Sequence, residues 1–324
     1  QINFIEIPEP TLPFEWNILA FNWSVRKHLE KYDLVINSNN TSFGLKTKTR
    51  LISYVHFPRK YRLISPLKSI HFPEGPKKKW LDLANDPFKL AHWFYSFDKS
   101  ISKGDLQIVN SKFTGDSLLS VYPNAQSTCI YPPVNEVDNT SSSRIQKKQK
   151  QVVSLGRFSP DKRQLEQIEI ASLLPDFQFY LVGFINNQSY YKKCEEIIAS
   201  KGLKNVFLVG NASAEERKRL LDESEYFIHN LRNEPFGITS VQAIASGCYP
   251  IVHNSGGQKE MIENKAQRFD SLREAVECFH LAERLNSDQK KHEIQAMTNT
   301  LSSYSALKFQ KDFKELIQKM LFQA

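Results

Sequence analysis

Asn233-Glu234-Pro235-Phe236-Gly237-Ile238-Thr239-Ser240-Val241-Gln242-Ala243-Ile244-Ala245-Ser246-Gly247 is the stretch on which the reading of this chain turns. A carboxylate stands beside a Pro-Phe-Gly turn, and small and apolar residues follow until a glycine stops them. The pattern predicts a helix over 238–246 that starts at a tight turn. The first N–H groups of such a helix have no partner within it, so the turn is a ready seat for an anionic group. A carboxylate just ahead of the turn accepts hydrogen bonds from sugar hydroxyls. Together they point to a pocket for a sugar joined to a diphosphate. A short apolar run, Tyr249-Pro250-Ile251-Val252, leads to a second glycine turn at Asn254-Ser255-Gly256-Gly257.

On the amino-terminal side of this stretch the alternation is regular. Strands are expected at 152–155, 177–182, 205–209 and 226–229, and helices at 164–174, 190–201, 214–223 and 238–246. Strands alternating with helices at this spacing predict βαβ units on a parallel sheet. Ligands bind such sheets in the crevice beyond the carboxyl ends of the strands. Gly156-Arg157, Gly183, Gly210-Asn211 and the loop from His229 to Gly237 all fall at those ends. A last helical stretch is expected near 303–321.

The earlier part of the chain mixes short β-like runs with aromatic stretches. Strands are expected at 33–37, 51–56 and 106–111, with a helix near 115–122. Residues 86–103 read as an amphipathic aromatic segment. Residues 139–151 carry three serines and then Lys147, Lys148 and Lys150 without apolar period, which marks a linker.

A length of 324 residues exceeds a comfortable single core, so two domains are expected. No apolar run approaches the roughly 20 residues that cross a bilayer, and no signal peptide is apparent at the start. The chain begins at Gln1 and is read as a fragment or processed form. Cys129, Cys194, Cys248 and Cys278 are widely spaced without zinc spacing, and are expected to be reduced thiols of a cytoplasmic protein. The net charge of +8 favours anionic partners. Lys77-Lys78-Lys79-Trp80 and the aromatics after it resemble an interfacial membrane patch, against the plain alternative of a solvated lysine run. No nucleic-acid-binding motif is present, and no nucleic-acid partner is expected.

Gly156-Arg157-Phe158-Ser159-Pro160-Asp161-Lys162 follows one strand and precedes a helix. Arg157 offers a planar fork suited to phosphate and Lys162 a mobile point charge, although a solvated basic turn is the plainer reading. Gln242 falls early on the 238–246 helix, where its amide can both donate to and accept from a ribose diol. His56 ends the strand in Tyr54-Val55-His56-Phe57-Pro58. There a structural histidine and a substrate contact are both open. His71 is left as structural.

A family resemblance is carried by these donor-side residues together with Ile52-Ser53-Tyr54-Val55-His56-Phe57-Pro58, Val109-Asn110-Ser111-Lys112-Phe113-Thr114, Tyr131-Pro132-Pro133-Val134 and Asn254-Ser255-Gly256-Gly257-Gln258-Lys259-Glu260. The chain resembles the GT-B glycosyltransferases of family 4 (glycosyl transferases group 1), and within them most the dolichol-linked α-1,2-mannosyltransferases of N-glycan assembly. The resemblance implies an α/β GT-B fold, two Rossmann-like domains facing across a cleft. It places an acceptor-binding domain at 1–138, a linker at 139–151, a nucleotide-sugar domain at 152–302, and a helix at 303–324 packing back across both. It implies a retaining hexosyltransferase that moves mannose from GDP-mannose to a glycan or lipid-linked glycan. A UDP-sugar donor and a non-catalytic sugar-nucleotide-binding member stay open as alternatives.

The implied catalytic residues are His56, Arg157, Lys162 and Glu234. The implied donor contacts are Gly156, Gly210, Asn211, Phe236, Gly237, Ile238, Thr239 and Gln242. No cofactor and no metal are expected, and peripheral association at the cytosolic face of a membrane is. Two departures stand out. Glutamine occupies position 242, where the family pattern has a carboxylate. The family's glycine-rich loop is not found near the amino terminus, Gly44 being the first glycine, so either that segment lies outside this chain or the amino-terminal domain is trimmed.

Overall fold

The computed structural model of the chain describes residues 25, 28–38, 49–58, 106–138 and 148–322. It divides into two compact units, Gln1–Tyr131 with Asp312–Ala324, and Pro132–Lys311. The aromatic segment 86–103, the Lys77–Trp80 patch and His71 lie outside the described residues.

In the first unit, β1 (Leu34–Asn37), β2 (Arg50–Val55), β3 (Leu106–Val109) and β4 (Gln126–Cys129) form a parallel sheet in that order. Residues Leu51 to Val55 are buried without interruption, as are Gln107 to Val109. Such runs suit parallel strands covered on both faces. Helix α1 (Lys112–Val121) starts where the Ser111 hydroxyl accepts the N–H of Thr114. Its Leu118 packs with Val55, Val109 and Tyr122.

The second unit holds a six-stranded parallel sheet. Its strands are β5 (Lys148–Leu155), β6 (Gln178–Gly183), β7 (Val206–Gly210), β8 (Ser224–His229), β9 (Tyr249–His253) and β10 (Arg268–Phe269), in the order β10-β9-β8-β5-β6-β7. The chain therefore starts in the middle, winds outward through β6 and β7, and returns to β5's other side at β8. This is the doubly wound arrangement, with its switch point between β5 and β8. Helices α2 (Asn135–Asp138), α3 (Gln164–Ser172), α4 (Gln188–Ser200), α5 (Ala214–Glu223), α6 (Ile238–Ala245), α7 (Leu272–Arg284) and α8 (Ser287–Thr298) belong to this unit. An aromatic core ties α7 to the sheet. Phe279 meets Phe177, Phe179 and Tyr226 edge to face, with centroids 5.2, 5.7 and 5.5 Å away. Full burial of one such ring contributes about 2–3 kcal/mol.

The division between units falls after Tyr131, earlier than the expected boundary after Asp138. Val134 and Val137 are buried, and the Val134 N–H donates to the Tyr304 carbonyl at 2.9 Å, which anchors Pro132–Asp138 to the second unit. The expected linker also ends early, because β5 already begins at Lys148. The lysines hide this half of the strand. Lys150 takes φ 57° at a register shift against β8, and its N–H donates to the Glu225 carboxylate at 2.8 Å. The last helix, α9 (Ala306–Phe322), is divided between the units, residues from Asp312 onward grouping with the first. Near its end, the Met320 carbonyl accepts from the Arg50 guanidinium.

Candidate functional site

The loops after β5 and β8 flank the switch point and carry the charged residues singled out above. The ends of β5 and β6 crowd closely. The Gly156 N–H donates to the Val182 carbonyl at 2.9 Å. A Cβ on Gly183 would lie 2.0 Å from the Gly156 oxygen. The chain then makes a short 3₁₀ turn at Pro160–Lys162 and enters α3 through Arg163 in the left-handed conformation (φ 62°). The Lys162 stem lies against Gly156.

Across the switch point, Asn233 (φ 53°) precedes Glu234, and Gly237 (φ 105°) caps α6 without a side-chain bond. The N–H groups of Ser240 and Val241 both reach the Gly237 carbonyl, whereas those of Ile238 and Thr239 have no partner among the described residues. Ser240 is fully buried, and its hydroxyl has no partner there either. An N–H-rich, uncapped helix start is thus built next to Glu234.

Glu234 is the centre of the arrangement. Its side chain is 17% exposed, and Oε2 receives both Lys162 Nζ at 3.5 Å and His229 Nε2 at 3.3 Å. Burial works against its charge, but the His229 hydrogen bond and the Lys162 charge outweigh it and hold the carboxyl down to about 2. Glu234 is therefore a fixed carboxylate at neutral pH. Oε1 has no protein partner among the described residues.

The second glycine turn braces the backbone of Glu234. The Gly257 N–H donates to the Glu234 carbonyl at 2.8 Å, and the Asn233 N–H donates to Ser255 Oγ at 2.7 Å. Gly256 (φ 81°) approaches so closely that a Cβ there would lie 2.4 Å from the Glu234 carbonyl oxygen. Ser255 Oγ also lies 2.8 Å from His253 Nδ1. His253 is pushed down to about 4 by burial and by Arg232. The sequence quoted this turn as part of the resemblance without assigning it a role. Its backbone approach to Glu234 is a tertiary feature that spacing does not display.

The remaining expected site residues are dispersed. Arg157 is exposed and pairs with Asp161 at 3.2 Å. Such a surface pair contributes about 0–1 kcal/mol, little enough for a diphosphate to compete for the guanidinium. Phe236 is buried edge-on to Tyr304 with centroids 5.3 Å apart, so only its backbone is placed for a ligand. Ile238, 48% exposed, and half-buried Gln242 share one face of α6 by their four-residue spacing. Gly210 and Asn211 end β7 at the edge of the sheet, two strands from β5. Asn211 Oδ1 there accepts the Ile185 N–H at 2.9 Å, a tie within the scaffold.

His56 belongs to the first unit. Its side chain is exposed, its ring meets Tyr54 edge-on at 5.1 Å, and its carbonyl accepts from Asn110 Nδ2 at 2.9 Å. Asn110 is a fixing residue for this strand end that was quoted in the sequence but not assigned. Among the described residues, no group of three or more His, Cys, Asp or Glu is placed to hold a metal ion. No helix among them is long and apolar enough to cross a membrane. The four cysteines are free thiols, and burial pushes Cys194 and Cys278 up to about 12 and about 11.

Residues 137–272, which hold this whole charged cluster, match the family model of the glycosyl transferases group 1. This region is similar to that family. Outside it the similarity continues. The chain is 28% identical over 259 residues to the GDP-Man:Man(3)GlcNAc(2)-PP-Dol alpha-1,2-mannosyltransferase of Xenopus laevis, covering 71% of this chain and 52% of that one. It is 25% identical over 319 residues to the protein of that name from Dictyostelium discoideum, covering 87% and 61%. The chain thus spans about half to three-fifths of the length of these relatives. Among solved structures, a glycosyltransferase from Rickettsia africae superposes with a TM-score of 0.71 at 18% identity, covering 99% of this chain and 85% of that one. Anabaena HepE, in complex with UDP and glucose, superposes with a TM-score of 0.69 at 16% identity, covering 95% and 84%. The six-stranded unit and the four-stranded unit therefore have the GT-B type of architecture, two Rossmann-like parallel sheets with helices.

Proposed function

We propose that the chain is a retaining mannosyltransferase that takes mannose from GDP-mannose and delivers it to a lipid-linked glycan. The observation that carries this reading is the ionised Glu234, held by His229 and Lys162 at the uncapped start of α6. A sugar diphosphate needs those two features side by side: an acceptor for its hydroxyls, and N–H groups and cations for its phosphates. The donor and acceptor follow the printed names of the curated relatives.

In the proposed reaction the acceptor hydroxyl attacks the sugar's anomeric carbon from the face that the diphosphate leaves. The new carbon–oxygen bond forms as the bond to phosphate breaks, and the hydroxyl proton passes to the departing phosphate oxygen. The anomeric configuration is retained. Lys162, Arg157 and the Ile238 and Thr239 N–H groups stabilise the charge that develops on the diphosphate. Glu234 accepts from hydroxyls of the transferred sugar, and Gln242 bonds the ribose. His56 contacts the sugar from the acceptor side, as the resemblance implies. The cations carry the diphosphate without a metal, so transfer is expected to survive EDTA unchanged. The acceptor's lipid draws the protein to the cytosolic face of a membrane as a peripheral partner.

A second reading, a non-catalytic sugar-nucleotide binder, is favoured by glutamine at position 242. One experiment separates the two. The purified chain is given GDP-mannose, UDP-glucose or UDP-N-acetylglucosamine with a dolichol-linked oligosaccharide acceptor, and binding and product are both measured. Mannosylated product from GDP-mannose supports transfer. Binding without product supports the second reading, and no binding of any donor contradicts both.

A further inference from the structure

We infer that His229 is the positioning residue that turns Glu234 toward the donor sugar, an inference that rests on the proposed donor site. His229 is the last residue of β8, and its side chain is only 5% exposed. Burying an imidazole costs free energy unless its N–H groups find partners. Its ring has one hydrogen bond among the described residues, from Nε2 to Glu234 Oε2 at 3.3 Å. Two residues earlier on the same face of the strand, Phe227 lies parallel to the imidazole, 9° between planes and 6.1 Å between centroids. The ring is therefore fixed by a central strand and a buried aromatic neighbour.

The glycine turn holds the backbone of Glu234, but its side chain has no such support of its own. It sits in a loop, after a left-handed Asn233 and before Pro235, outside helix and sheet. A loop-borne carboxylate keeps one orientation only if a rigid element holds it. Lys162 shares Oε2, but its four-carbon stem is flexible and its ammonium is the cation that the diphosphate would recruit. His229 is the donor that does not move. With Nε2 protonated, it directs Oε2 inward and leaves Oε1 as the oxygen that faces the ligand. The division of labour is specific: Oε2 for the protein, Oε1 for a sugar hydroxyl.

The test compares GDP-mannose with GDP, which lacks the sugar, by calorimetry on the full chain. His229→Leu should weaken GDP-mannose about tenfold and leave GDP within about twofold, while His229→Gln, which keeps a donor near the Nε2 position, should recover most of the loss. In a Glu234→Gln background, His229→Leu should have no further effect on GDP-mannose, because the carboxylate it positions is gone. Equal weakening of GDP and GDP-mannose would assign His229 to the scaffold alone and overturn the inference, as would full additivity with Glu234→Gln. Should His229→Leu not fold, His229→Gln against His229→Asn decides it, since only the glutamine reaches the carboxylate; equal affinities for GDP-mannose overturn the inference. A wild-type chain that binds neither ligand overturns the donor-site reading itself, and the inference with it.

Discussion

β8 carries a charge cluster at each end, and the two are built to opposite rules. At its start, Lys290 Nζ lies 2.7 Å from Glu225 and 3.0 Å from Glu283, while the Tyr226 hydroxyl donates to Glu283 and Lys150 stands 3.8 Å from the same carboxylate. The ammonium also lies over the Tyr226 ring, 5.0 Å from its centroid. That cluster is closed: each charge meets an opposite charge or an aromatic face. At the end of the strand, Glu234 has two donors on one oxygen and none on the other, beside a helix start with unpartnered N–H groups. A closed network holds the fold together, and an open one has capacity left for a ligand. Charge type alone does not separate the two, since both pair Lys with Glu.

The contrast is breakable by mutation. Lys162→Ala should lower mannosyl transfer by on the order of a hundredfold to a thousandfold, with a smaller loss of stability than Lys290→Met because His229 still holds Glu234. Transfer close to wild type would remove Lys162 from the site. Lys290→Met should do the reverse. Stability in urea should fall by about 2–3 kcal/mol because Glu225 loses its cation and Glu283 the nearer of its two, while transfer per folded molecule stays at the wild-type level.

A third test concerns pH. His253, in the brace under Glu234, is lowered from 6.5 to about 4 in the folded chain. Between those values the unfolded chain binds the proton and the folded one does not, so folding stability is fully present above 6.5 and falls as pH drops toward 4. His253→Gln should flatten that part of the stability profile, an effect on the order of 1–2 kcal/mol seen in urea midpoints on either side of the window. An unchanged profile would mean that other groups set the slope. The smallest effect is expected from Gln242→Glu, which should tighten GDP-mannose by up to about 1 kcal/mol if the residue holds the ribose. Unchanged affinity would count against that role.

Much of this was legible beforehand, for reasons that differ between residues. The alternation from β5 through α6 shows in the sequence because parallel strands are near-continuous apolar runs and the helices between them are amphipathic. β9 did not show as a strand, because Pro250 sits inside it, and the polar first half of β5 looked like a linker. Glu234, Lys162 and Gly237 were marked by their place at strand ends, and the fold brings the first two within 3.5 Å. Gly210 and Asn211 were marked by the same rule but end on the edge strand, since residue spacing does not reveal strand order. The contacts of His229 and Gly256 with Glu234 depend on a loop conformation that has no local sequence signature.

Calorimetric titration of GDP-mannose into wild type, Lys290→Met and Lys162→Ala tests the distinction between the two ends of β8 most directly. Binding by wild type and Lys290→Met, with loss in Lys162→Ala, is the predicted result. Binding that fails in Lys290→Met but persists in Lys162→Ala would place the ligand at the wrong end of the strand and contradict it.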